Sequence, residues 1–230
     1  MATVEGFTPG LIGQGMATPG GSNGSPTYGL LDGTGAQVVM DFFTKAAIDG
    51  KQYQVRAGTL TTPLVGDVVI TDTAAEYCVD TGQQNITIIP VYQDIAVRLG
   101  GGTLFEYAVK EVATASSAGT AFVPLPFKPN GQSAAASTAR VSAAGGVTVT
   151  AELATTTIRH WAWSQPIAAG AYVTTPPSWQ PRTVFVKGTS ASTATARCLY
   201  VQVAATTTGP SYYGHLNYLE FTNASLGSSY

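Results

Sequence analysis

After Gly50 the apolar residues of this chain come in short runs with turn residues between them, and no run approaches the ~20 apolar residues of a membrane-spanning helix. Runs of that length and spacing fold as strands. Over 53–60 the side chains alternate through Tyr53, Val55, Ala57 and Thr59, the period of a half-buried strand. Further strands are expected at 68–70, 75–79, 86–91, 95–99, 104–112, 139–143, 147–153, 157–163, 183–187, 198–204 and 212–221. In the run at 104–112, Phe105, Tyr107 and Val109 share one face and Leu104, Glu106, Ala108 and Lys110 the other. Pro124 and Pro126 mark 122–127 as an edge or corner, because neither can donate to a central ladder. Ala144-Gly145-Gly146 predicts a hairpin between 139–143 and 147–153. One helix is expected over 36–48, where Val39, Phe42, Phe43, Ala46 and Ala47 recur at helical spacing before Asp49-Gly50; a short strand over 38–42 is the alternative. The fold class is therefore all-β, an antiparallel β-sandwich with at most one or two short helices.

Charge is scarce. Only 10% of residues are charged, against roughly 25% in ordinary soluble domains. Isolated β-proteins guard their edges and faces with Lys, Glu and Asp, whereas here Thr, Ser, Ala, Gln and Gly fill the polar positions. Such a surface is suited to being covered by other copies, so a homo-oligomer or a partner of similar kind is expected. The net charge of -2 and pI near 5.6 bring no phosphate-neutralising patch, so there is no strong nucleic-acid signal.

The scarcity is greatest at the start. Over 1–31 the sole charged side chain is Glu5, and Gly and Pro recur throughout. This segment cannot bury enough apolar area to fold alone, and is expected as an extended arm in front of a single sandwich domain over 32–230. Phe7, Leu11, Ile12, Met16 and Tyr28 are its candidate inter-subunit contacts; a floppy tail is the alternative. Without Lys or Arg it is no polybasic genome-binding tail. No basic n-region and apolar h-region open the chain, so a secretory signal is not expected in it as given. Cys78 and Cys198 both sit in strand-like runs and are expected as buried free thiols.

Catalytic patterns do not assemble. Residues 20–24 satisfy G-x-S-x-G, but both flanks are Gly/Pro-rich coil rather than the strand and helix of a nucleophile elbow. The groups around Gly13 and Gly100 lack the Lys-Ser/Thr of a phosphate cradle. His160 and His215 stand apart from any HxH, HExxH or CxxC spacing, so a zinc site would have to be gathered from distant residues. Neither an enzyme, a metal nor a cofactor is expected. The triplets at Asn23, Asn85 and Asn223 are chance in a Ser- and Thr-rich chain. Strand alternation places Arg159, Trp161 and Trp163 on one face and His160 on the other. With Trp179 they form either a stacking platform for a base or sugar or an aromatic core edge with Arg stacked on Trp.

The arm over 1–31, the short strands from Tyr53 to Phe221, the proline-bearing loop over 164–181 and the aromatic final run with Tyr212, Tyr213 and Tyr218 together resemble a viral capsid subunit of the jelly-roll type. The resemblance is one of overall pattern. It implies eight strands in two facing sheets, subunit contacts made by arm and loops, no catalytic residue, and a place in the virion, bacterial viruses included. The absence of an Arg-rich arm departs from many small capsid proteins. The alternative is a phage decoration, receptor-binding or carbohydrate-binding β-sandwich in which Trp161, Trp163, Trp179 and the tyrosines meet a glycan.

Overall fold

A computed structural model describes residues 41–99, 104–128, 130–166, 178–181, 183–191 and 196–226. The expected arm over 1–31 with Phe7, Leu11, Ile12, Met16 and Tyr28 lies outside the described residues, as do the match at 20–24, Gly100, and 167–177 of the proline-bearing loop. In chain order the strands are β1 (Gln52–Ala57), β2 (Leu64–Val65), β3 (Ala74–Ala75), β4 (Tyr77–Asp80), β5 (Ile86–Leu99), β6 (Leu104–Ala113), β7 (Ser117–Ala118), β8 (Thr120–Phe122), β9 (Leu125–Pro126), β10 (Thr138–Val141), β11 (Val147–Thr148), β12 (Ile158–Pro166), β13 (Val186–Lys187), β14 (Arg197–Ala205) and β15 (Ser211–Thr222). A helix, α1 (Phe42–Ile48), precedes them.

The first sheet runs β13-β5-β15-β1-β9 with β2 beside β15, and the second runs β12-β6-β14-β4-β10-β8. A small third sheet, β3-β11-β7, lies apart. The pairing is nested: β1 with β15, β4 with β14, β5 with β13 and β6 with β12, all antiparallel. The chain thus behaves as one long hairpin whose paired arms are wound over each other, and the contacts β15–β5 and β14–β6 stitch successive turns together.

Alternation decides what fills the space between the sheets. Along β15 the buried residues Tyr212, Leu216 and Tyr218 point inward, and from the facing sheet Tyr77, Val79, Phe105, Tyr107, Val109, Leu199 and Val201 meet them. Each fully buried Leu, Val and Phe side chain among them contributes on the order of 1.5–3 kcal/mol by leaving water. Two polar pairs cross the core: Gln93 donates to the Tyr77 hydroxyl at 2.7 Å, and Ser137 meets the Tyr218 hydroxyl at 2.6 Å.

Both sheets are also covered outside. Asp41 caps α1 by accepting from the N–H groups of Phe43 and Thr44, each at 3.0 Å, and Gly50, at φ 69°, ends it. The helix then lays Ala46 and Phe43 on Ile89, Val91, Leu219 and Phe221 of the first sheet. It covers only the last part of the expected 36–48, of which 36–40 lie outside the described residues. On the second sheet Val147 and Val149 cover Cys78, Val112, Cys198 and Tyr200, so β14 is buried on both faces. Cys78 and Cys198 are free and buried.

Three expectations need correction. The runs 86–91 and 95–99 are one strand, β5, with a bulge opposite Asn217–Tyr218 that skips Val91. The extra residue moves the inward set from Ile88 to Gln93 and Ile95, and Pro90 addresses the side of β5 where the two-residue β13 has already ended. The runs 139–143 and 147–153 do not pair as a hairpin: β10 joins β4 and β8, whereas β11 joins β3 and β7. The turn is real, with Ala144 at φ 48° and Gly145 at φ 66°, but its arms enter different sheets. Residues 68–70 form a loop rather than a strand, because the Asp67 carboxylate accepts from the N–H of Val68 at 2.7 Å and turns the chain outward.

The proline-marked segment does form edges. β8 ends the second sheet and β9 the first. The Phe127 N–H donates inward to Gln52 at 3.1 Å, so by alternation the nitrogen of Pro126 faces outward, while Pro124 is buried where the chain passes from β8 to β9. The sheet edge therefore offers no donors there to another chain.

Candidate interaction surface

Within the described residues β12 pairs only with β6 and forms the other edge of the second sheet. Arg159 lies opposite Lys110, then the register skips so that Trp161 opposes Val109 and Trp163 opposes Tyr107. His160 is the extra residue of a β-bulge, and it reverses the alternation. Arg159 consequently stands on the outer face, while Trp161 and Trp163 pack against the core. The Trp161 ring meets Tyr107 edge-on at 4.8 Å, and Trp163 meets Phe105 at 5.8 Å. The expected common face of Arg159, Trp161 and Trp163 is thus corrected: the two tryptophans are a core edge, and Arg159 is not among them.

His160 turns to Glu111, with Nε2 and Oε2 2.9 Å apart, and its ring lies 5.8 Å from Trp179. Trp179 exchanges backbone hydrogen bonds with Gln93, both at 2.9 Å, and is buried at the rim of the core. The sequence missed the orientation of these residues, which the bulge decides.

Arg159 joins a network that sequence reading did not find. Glu152 accepts from Lys110 Nζ at 2.5 Å and from Arg159 Nε at 2.6 Å. Lys110 and Glu152 are nearly buried, whereas the Arg159 side chain is 66% exposed. Burial pushes the Glu152 carboxyl up, but the bonds from Lys110 and Arg159 prevail and hold it below its ordinary value. Two adjoining hollows of about 480 and 530 Å³ share Asp72, Glu152 and Arg159. Val69 and Ile70 wall one and Leu153 the other, and Ala108 and Ala162 form part of the sheet face beneath. Lys110 was legible as an outer-face residue; Glu152, far along the chain, carried no local signal.

The loop wall is fastened from beneath. Glu76, 1% exposed, accepts from the N–H groups of Val203 at 2.8 Å and Asp67 at 3.1 Å, filling the break where β4 gives way to the loop. Gln202 donates to the carbonyls of Thr71 at 2.6 Å and Ala74 at 2.7 Å. Burial pushes the Glu76 carboxyl up to about 8, against the two N–H bonds that favour its anion. The surface is a groove lined by both charged and apolar side chains, with an ion network fixed in its floor. No protein-family model, curated protein or solved structure matches this chain.

Proposed function

We propose that this chain is a structural subunit of a viral shell, a jelly-roll domain that works by self-association. The observation that carries the reading is the nested pairing of the eight principal strands, β1 with β15, β4 with β14, β5 with β13 and β6 with β12. A hairpin wound in that way makes two facing four-stranded sheets, the arrangement of double-sheet jelly rolls. That fold also serves lectins and cupins, so the contents of the barrel matter. Its interior is filled by Tyr77, Tyr107, Tyr212, Tyr218 and Phe105, which suits a wall rather than a pocket.

The surface supports the same reading. Val123, Leu125, Phe127, Leu153 and Ile158 are between 40% and 57% exposed on a chain with 10% charge, and burying such residues favours association. The outward nitrogen of Pro126 steers that association toward faces and away from edge-to-edge strand pairing. Trp161 and Trp163 turn inward, which weighs against the glycan-binding alternative.

Electron microscopy and light scattering of the purified full chain test the proposal. Closed particles of many copies are expected, and removal of residues 1–31 is expected to leave a folded β-domain that assembles poorly. A chain that stays monomeric at high concentration and binds glycans on an array would overturn it.

A further inference from the structure

Both cysteines of the chain end at one place. Cys78 and Asp80 are two residues apart on β4, and Cys198 lies opposite Asp80 on β14, so all three share the outer face of the second sheet. Their ligand atoms, the two Sγ and a carboxylate oxygen, lie within 4.8 Å of one another. All three residues are buried, and Ala75, Val112, Val147, Val149 and Tyr200 close around the thiols.

We propose that Cys78, Asp80 and Cys198 bind a zinc-class divalent ion. The donor set selects the class: two thiolates favour soft or borderline ions over calcium and magnesium, and one carboxylate is compatible with zinc. The spacing agrees. With Zn–S near 2.3 Å and Zn–O near 2.1 Å, tetrahedral ligands place sulfur and oxygen about 3.6 Å apart, and Cys78 Sγ lies 3.8 Å from Asp80 Oδ2. Ser116 supplies what a metal-binding carboxylate needs from its surroundings. Its N–H donates to Asp80 Oδ1 at 2.9 Å and its hydroxyl donates to Oδ2, which fixes the carboxylate's orientation. The same hydroxyl accepts from the Cys78 thiol at 3.1 Å, tying the carboxylate and that thiol into one hydrogen-bonded group.

The charges balance. Two thiol protons leave as the ion enters, and two thiolates with one carboxylate then face the divalent ion and the Arg140 guanidinium, whose charge acts on Asp80. The site joins β4 to β14 under the cover of two segments, one carrying Ser116 and one carrying Val147. It is a closed structural site, with no path for substrate.

The test uses the reduced, chelator-treated full chain titrated with Co²⁺, followed by displacement with Zn²⁺. One equivalent with a thiolate-to-cobalt charge-transfer band is expected, bleached by zinc. Cys78→Ser and Cys198→Ser are each expected to abolish the band, and Asp80→Asn to weaken binding at least tenfold. A folded wild type that takes up no cobalt overturns the proposal whether or not the variants fold. So does unchanged uptake by a folded Cys78→Ser/Cys198→Ser double variant.

Discussion

Glu76 makes stability fall with rising pH, and its replacement by Gln should remove that slope. The unfolded chain loses this proton near 4.5, while the folded chain keeps it to about 8 because burial disfavours the anion. Between those values the folded state therefore binds one proton more. The contribution is fully present below about pH 4.5 and is lost progressively as pH rises through about 8. At about 1.4 kcal/mol for each unit, the window is worth on the order of 5 kcal/mol. Gln keeps the shape, stays neutral throughout, and retains an acceptor oxygen for one of the two N–H groups, those of Val203 and Asp67, that bond separate oxygens of Glu76. Urea unfolding of wild type and Glu76→Gln, at one protein concentration and a series of pH values from 4 to 9, isolates the effect, because the other titrating groups cancel in the difference. The variant should be within about 1 kcal/mol of wild type at pH 4 and more stable than it by several at pH 9. A difference that is flat with pH, or that favours wild type more as pH rises, would refute the reasoning.

Three further outcomes follow from the described geometry. Trp161→Ala should cost about 2 kcal/mol or more by opening the core edge against Tyr107, whereas Arg159→Ala should cost less than about 1 kcal/mol because its guanidinium stands in water; chemical denaturation that reverses this order contradicts the bulge at His160. Pro126→Thr restores an outward N–H to the β9 edge, so turbidity at matched concentration should grow faster than for wild type, and identical curves count against the blunted edge. Gly209→Ala drives a Cβ into the backbone carbonyl of Gly66, and thermal unfolding should show a loss above about 2 kcal/mol; a neutral result would mean that the turn shifts freely.

What could be read in the sequence was whatever local alternation controls. Phe105, Tyr107 and Val109 share one face as their spacing predicts, and that face is the inward one. What stayed hidden was decided by partner strands. The bulges at Val91 and His160 exist because β15 and β6 set the register, so a sequence-only count of alternation assigned Arg159 to the wrong face. The turn at Ala144 reads locally as a hairpin, yet β3 and β4 divide its arms between two sheets. The meeting of Cys78 with Cys198, and of Lys110 with Glu152, depends on pairings across long stretches of chain that no short motif records.

The nesting of the strands also sets a timetable for biosynthesis. β15 is the last of the described strands to leave the ribosome, yet it lies between β1 and β5, and β14, made just before it, lies between β4 and β6. A nascent chain already holding β1, β4, β5 and β6 therefore has the flanks of both sheets and the centre of neither. It must wait, with β-forming segments exposed, until residues 197–222 emerge. For such a chain the hazard of misassembly is greatest before residues 197–222 emerge, and the Gly- and Pro-rich interruptions between its strands are what limits premature pairing until then.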